Sequence, residues 1–226
     1  MTLRRTVRIT NSRANRITSA PAAEPVNADD LRTHLGIDAT AMEDAVANNL
    51  IAEAREMIEE HLNLAMITQT WRLTLDNWPA AFDEWWDGVR DGHVGHFLTS
   101  GKSIDVEVPR WPLQSITSVT VYDEDGTSSA VTVANVFDVD TQSFPGRITL
   151  KRGATWPVAL RANNAIEVVY VAGYGAAGVA VPAPMRRAVK QLAAGLYANR
   201  GDCSVESVLK ASSAGGLIDT YKIKRV

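Results

Sequence analysis

The stretch Glu53-Ala54-Arg55-Glu56-Met57-Ile58-Glu59-Glu60-His61-Leu62-Asn63-Leu64-Ala65-Met66-Ile67-Thr68-Gln69-Thr70-Trp71-Arg72-Leu73-Thr74-Leu75 changes its hydrophobic period part-way along. Ala54, Met57, Ile58 and Leu62 recur at helical spacing. From Thr70 onward, Trp71, Leu73 and Leu75 alternate with Arg72 and Thr74, which is the period of a strand. A helix therefore ends and a β-region begins within this stretch. Upstream, Met42, Val46 and Leu50 continue the apolar stripe, and Thr40-Ala41-Met42-Glu43 has the form of a capping box. The pattern predicts one long helix over 41–62, with Glu43, Glu53, Glu56, Glu59 and Glu60 on its other faces. A shorter helix precedes it, starting at Asn27 or Ala28, with Asp29 and Asp30 at its positive end and Gly36 just past its last turn.

Downstream the strand period persists. Ile104, Val106 and Val108 alternate with Asp105 and Glu107. Val119 and Val121 lead into Asp123-Glu124-Asp125-Gly126, a hairpin-turn signal, with Val131, Val133, Phe137 and Val139 on the far side. Pro145-Gly146 turns the chain before Ile148 and Leu150, and Ile166, Val168 and Tyr170 close the region. Spacing of this kind points to a small antiparallel sandwich or barrel. A last helix, 184–200, follows Pro182 and Pro184, with Met185, Ala188, Val189, Leu192 and Leu196 on one face and Gly201 at its end. Neither helical piece has enough apolar surface to fold alone. The expected class is α+β: a small, discontinuous helical bundle with an inserted antiparallel β-sandwich or barrel-like domain. The domains are an extended basic arm (1–26), a bundle (27–66 and 180–203), a β-domain (67–179) and a C-terminal tail (204–226). In the tail, 212–216 reads as flexible and 217–226 as a terminal strand.

Composition narrows the function classes. The 226 residues are 46% hydrophobic and 22% charged, an ordinary globular balance, and no apolar run is long enough to span a membrane. No apolar stretch follows the basic N-terminus, so a secretory signal is not expected. The single cysteine, Cys203, rules out an internal disulfide framework and a cysteine-based zinc site, and fits a reducing cytosol. A net charge of −3 conceals cationic ends: Arg4, Arg5, Arg8, Arg13 and Arg16 have no acid among them, and Lys222, Lys224 and Arg225 face only Asp219. The acidic body between them is unsuited to holding phosphates. The ends suit acidic partners or are solvated termini. If the arginine arm bound duplex DNA directly, its affinity would depend steeply on salt.

Chemistry-bearing motifs are few. Gly173-Tyr174-Gly175-Ala176-Ala177-Gly178 has the G-x-G-x-x-G form, but prolines intervene before the helix and no second strand ending in an acid follows. The glycines are better read as letting the chain leave the β-region. His93 and His96, near Asp87 and Asp91, lack a third ligand in a fixed frame. Asp123, Glu124 and Asp125 lack the closing Glu of a calcium loop and read as a hairpin tip. Glu59 and Glu60 are sequential and point apart. No nucleophile elbow or Walker loop is present, so neither an enzyme nor a cofactor is expected. The long segment 76–101 holds Trp78, Phe82, Trp85 and Trp86, which are either a protein-contact loop or a cap on the sandwich core. As a carbohydrate- or small-molecule-binding module, the chain would use this Trp-rich loop.

Several segments in order resemble head–tail connector (adaptor) proteins of tailed bacteriophages and gene transfer agents. They are Asp30-Leu31-Arg32-Thr33-His34-Leu35, Ile51 to Glu59, and Thr68-Gln69-Thr70-Trp71-Arg72-Leu73. Val108-Pro109-Arg110-Trp111-Pro112-Leu113-Gln114-Ser115-Ile116 then leads to Val121-Tyr122 and Asp125-Gly126. Thr155-Trp156-Pro157, Val171-Ala172-Gly173-Tyr174-Gly175 and Val181-Pro182 with its helix complete the set. The resemblance covers about residues 28–201. It implies a virion or phage-like particle component made in the bacterial cytoplasm. Such a component forms a ring, usually of twelve copies, beneath the portal protein. The ring joins capsid to tail, extends the DNA channel, and presents a surface to the next tail-completion (stopper) protein. Duplex DNA would pass through without sequence-specific binding. Within that expectation, Glu53, Glu56, Glu59 and Glu60 are channel-facing candidates whose like charge keeps DNA from adhering. Leu217, Ile218, Tyr221, Lys222, Ile223, Lys224 and Arg225 are expected to dock onto the portal as an added strand.

Overall fold

The computed structural model describes residues 13–78, 105–155, 160–199 and 214–222. The elements run β1 (Arg13–Ser19), α1 (Ala28–Leu35), α2 (Asp44–Leu62), β2 (Gln69–Leu75), β3 (Asp105–Glu107), β4 (Leu113–Tyr122), β5 (Ser128–Val131), a single turn α3 (Val133–Val136), β6 (Phe137–Asp140), β7 (Arg147–Leu150), β8 (Ile166–Ala172), α4 (Ala183–Ala198) and α5 (Ala214–Ile218). The mixed helical and antiparallel-sheet character is the α+β class expected from the sequence.

The chain divides into two compact units, neither continuous in sequence. One gathers residues 1–17, 71–108 and 115–170; the other gathers 18–70, 109–114 and 171–226.

Among the described residues, the strands of the first unit lie in two sheets and form no closed barrel: a five-stranded sheet ordered β1-β2-β8-β4-β5 and a three-stranded sheet ordered β3-β7-β6. Alternation decides which side chains are buried: Trp71, Leu73 and Leu75 in β2, and Ile166, Val168 and Tyr170 in β8. The β4–β5 hairpin forms where Asp-Gly places it, with Val121 opposite Ser129 and Gly126 at φ 82°. Asp123 Oδ1 accepts from the Asp125 and Thr127 backbone N–H groups, so this acid holds the turn. One expectation changes here. Val131 and Phe137 do not share one strand, because the α3 turn carries the chain from one sheet to the other. Within the arm, residues 13–19 form edge strand β1, tied by the Tyr170 hydroxyl donating to Asn15 Oδ1 at 2.9 Å.

The second unit holds the helical body. Leu31, Ile51, Ile58, Met66, Met185, Leu192 and Ile218 all belong to one buried cluster contributed by both ends of the chain. The helix α1 starts and stops as expected: Asn27 Oδ1 accepts from the Asp30 N–H, and Gly36 turns left-handed at φ 68°. In α4, Met185, Ala188, Val189, Leu192 and Ala193 are buried, with Leu196 at the margin. The capping box at Thr40–Glu43 does not form; α2 begins at Asp44. The reason is tertiary. Met42 is buried, its carbonyl accepts from Arg32 Nε at 3.1 Å, and Asp44 pairs with the same guanidinium. The buried stripe of α2 is also rotated from the expected one. It consists of Ala47, Ile51, Ala54, Ile58 and Leu62, whereas Val46 is 44% exposed.

The tail differs most. Residues 214–221 form α5 and a following 3-10 turn, not a strand. Ala214, Leu217, Ile218 and Tyr221 recur at helical spacing, and burying that stripe outweighs the alternation of Tyr221 and Ile223 with lysines. Ala214 and Ile218 are fully buried.

Candidate assembly surface

The helical body is held rigid by three arginines that reach across sequence. Arg55 is buried on α2. Its Nη1 donates to Glu59 Oε2 at 2.6 Å and its Nε to Glu24 Oε2 at 2.9 Å. Glu59 Oε1 in turn accepts from the Met66 N–H at 2.6 Å and from Gln69 Nε2 at 2.8 Å. Both carboxylate oxygens of Glu59 are thereby used, which is the condition for burying a charge without a large penalty. Burial pushes the Glu24 carboxyl above its ordinary value, and Arg55 offsets only part of that rise. Burial would depress the Arg55 guanidinium, but Glu59 and Glu24 outweigh it and hold it raised.

The second arginine closes the far end of α2. Arg110 Nη1 donates to the Glu59 carbonyl at 2.6 Å, and its Nη2 pairs with the Glu60 carboxylate. The neighbouring Trp111 Nε1 donates to the Leu62 carbonyl at 3.3 Å, and the Ala65 N–H to the Trp111 carbonyl at 2.9 Å. A helix C-terminus carries unpaired carbonyls and partial negative charge. The Pro109–Gln114 segment supplies the donors and the cation that such an end requires. Arg32, the third, pairs with Asp29 on its own helix at 2.7 Å and clamps α1 to the start of α2 through Asp44; the Asp44 hydrogen bond is the leading cause of its raised pKa.

The glycine motif is part of the same body. At Gly173, φ is 136° and an added Cβ would lie 2.6 Å from the Ile67 carbonyl carbon. The Tyr174 N–H donates to the Met66 carbonyl at 3.1 Å, and the Thr68 N–H to the Gly175 carbonyl at 3.0 Å. Close backbone approach accounts for the glycine at 173, as the reading of an exit from the β-region expects. Pro182 at the N-cap of α4 follows a 3-10 turn, so no helix opens on the glycine loop.

Of the residues singled out in the sequence, Glu53, Glu56 and Glu60 are exposed on α2. Glu59 is buried and fully engaged, so it does not belong to an outward acidic face; its i,i+4 spacing from Arg55 was the sequence signal for this pair. Leu217 and Tyr221 pack against the helical core, Ile218 lies within it, and Lys222 is exposed. Trp78 sits with its ring centroid 5.7 Å from that of Phe137, as a core cap would. Phe82, Trp85, Trp86, His93, His96, Cys203, Ile223, Lys224 and Arg225 lie outside the described residues. Among the described residues, no three or more His, Cys, Asp or Glu side chains are placed to hold a metal ion, and no helix is long and apolar enough to cross a membrane.

The outward faces of α2 and α4 differ in sign. On α2, Glu53 has no ion-pair partner among the described residues. On α4, the exposed Arg187 and the half-buried Lys190 have none either. Nothing in this arrangement activates a nucleophile or moves a proton. What it offers is a stiff helical body with charged outer surfaces.

Comparison of the whole structure with solved ones then gives a consistent result. A chain from the neck of an empty GTA particle, computed with C6 symmetry, superposes with a TM-score of 0.70 at 21% identity, covering 94% of this chain and 97% of that one. The chain shares the fold of that neck chain. A chain of the native gene transfer agent (GTA) virion matches with a TM-score of 0.69 at 21% identity, covering 94% and 96%. A neck chain from the native GTA particle, computed with C12 symmetry, matches with a TM-score of 0.67 at 22% identity, covering 94% and 97%. No family model and no curated protein sequence matches the chain.

Proposed function

We propose that this chain is a structural component of the neck of a virion or gene-transfer-agent particle, acting as a head–tail adaptor. In that role copies assemble as a ring under the portal protein, join capsid to tail, contact the next tail-completion protein, and continue the channel through which duplex DNA passes. The observation that carries this reading is end-to-end likeness to neck chains from particles: almost the whole of both chains is matched, including the helical body and the β-region together. The symmetry of those necks supports a ring for this chain too, since heterologous contacts close under rotation. The division into a bundle and an inserted β-domain is retained as the working plan of the subunit, with residues 214–221 added to the bundle and β1 to the β-domain's sheet. Portal docking is assigned to the end of the tail, from Lys222 through Ile223, Lys224 and Arg225, because Leu217, Ile218 and Tyr221 are occupied in the helical body.

The test is electron microscopy of the full chain mixed with the portal protein of its own particle. A ring seated on the portal is expected. A chain that stays monomeric and unattached at concentrations where portal and other neck proteins assemble would remove the proposal.

A further inference from the structure

The helix α4 has two faces of opposite character. Met185, Ala188, Val189 and Leu192 point into the core, and the opposite side carries Arg187, Lys190, Ala194 and Ala198. The cations lie in the first half of that outer face and the small residues in the second. Neither cation has an acidic partner among the described residues. The helix α2 presents the reverse. Its outer face runs Val46, Glu53, Glu56 and Glu60, apolar at the start and acidic towards the end, on the side opposite Ala47, Ile51, Ala54 and Ile58. Glu56 pairs with Arg55 and Glu60 with Arg110, so Glu53 is the acid of this face that has no ion-pair partner among the described residues.

From these faces we infer that the outer face of α4 docks, antiparallel, against the outer face of α2 on a second copy of the chain. Antiparallel alignment brings the acidic half of α2 onto the basic half of α4, and Val46 onto the small residues Ala194 and Ala198. The lengths agree: Val46 to Glu60 spans about 21 Å and Arg187 to Ala198 about 16 Å at 1.5 Å per residue. Small side chains let helix axes approach closely, which suits the uncharged end of the contact. Within one chain the two helices already pack through their core faces, so the pairing is available only between copies. Each subunit carries both halves of a head-to-tail junction, which is the heterologous arrangement that a ring requires.

This inference rests on the ring proposed above and names its junction. Reserving the same acids for the channel wall would leave the α4 cations without a counter-charge; the junction supplies one.

The experiment reverses charge on each side. Glu53→Lys and Arg187→Glu are made singly and together in the full chain, co-produced with the other particle proteins, and necks are counted by electron microscopy. Both positions are exposed and unpaired, and thermal melts check that the subunits stay folded. Each single reversal places like charges at every junction, so ring recovery falls by about tenfold or more; the double reversal restores it. Rings unaffected by either single change, or lost in both and not rescued together, overturn the junction while leaving the adaptor role standing. Intact rings that hold back DNA after Glu53→Lys assign the acids to the channel and also overturn it. If the unaltered chain forms no ring, the adaptor reading fails first and the junction falls with it.

Discussion

The Glu59 carboxylate accepts from Arg55 Nη1 at 2.6 Å with the two side chains only 7% and 5% exposed, one helical turn apart on α2. Removing Glu59 takes the most buried carboxylate from Arg55 and leaves the Met66 N–H and Gln69 Nε2 in the core without their acceptor. Glu59→Ala should therefore cost about 3–5 kcal/mol in denaturant unfolding. Replacing both with apolar residues of similar size, as in Arg55→Met with Glu59→Leu, should cost clearly less than the sum of the single changes. A double change as damaging as that sum would show that the pair is not coupled.

Gly173 presses on the Ile67 carbonyl. Gly173→Ala combines a left-handed φ with an added Cβ at 2.6 Å from backbone. Its cost should exceed the roughly 1–3 kcal/mol of backbone strain alone, and thermal melting reads it. Gly153→Ala shares the positive φ but has open space around it, so it should be the milder of the two.

Ile218 is fully buried in the helical body. Ile218→Ala should destabilise the chain by about 2 kcal/mol or more, the low end of the range for core truncations. Burial, aided by the neighbouring Tyr221, pushes the Tyr174 phenol up to about 12. Cutting the chain before Ala214 should bring that ionisation down towards 10.0, as read by ultraviolet titration. A titration that does not move would mean that the tail does not cover Tyr174.

Asp140 fixes the β6–β7 turn. The Ser143 hydroxyl, the Gln142 N–H and Arg147 hold its carboxyl well below the ordinary 3.8. A depressed folded pKa stabilises the fold fully above 3.8, and that contribution is lost as pH falls through the depressed value. The melting temperature of the unaltered chain should fall more steeply below about pH 4 than that of Asp140→Asn. Equal slopes would contradict the assignment.

Period alone located most of the elements. Trp71-Leu73-Leu75 and Ile166-Val168-Tyr170 alternate because one face of their sheet is buried, and Met185 to Leu192 repeats because one stripe of α4 is. The failures share a cause, which is a residue answering to a distant partner. Thr40–Glu43 gives way to the demands of Arg32, and Glu59 is drawn inward by Met66 and Gln69 beyond the helix end. Local propensity has no access to such partners. Residues 13–19 show little strand pattern because an edge strand buries few side chains. For the candidate surface, the acids of α2 were visible in the sequence. The unpaired state of Arg187 and Lys190 becomes visible only against Arg32, Arg55 and Arg110, which have each found a carboxylate.

The helical body draws its last buried residues, Ala214 and Ile218, from beyond everything they pack against, and its α2 end is sealed by Arg110 from the middle of the chain. During synthesis, α1 and α2 therefore emerge long before the pieces that cover them. The nascent chain holds an unsealed apolar stripe until those pieces follow. Closure of the helical body is thereby timed by translation itself: it waits for the turn that carries Ile218.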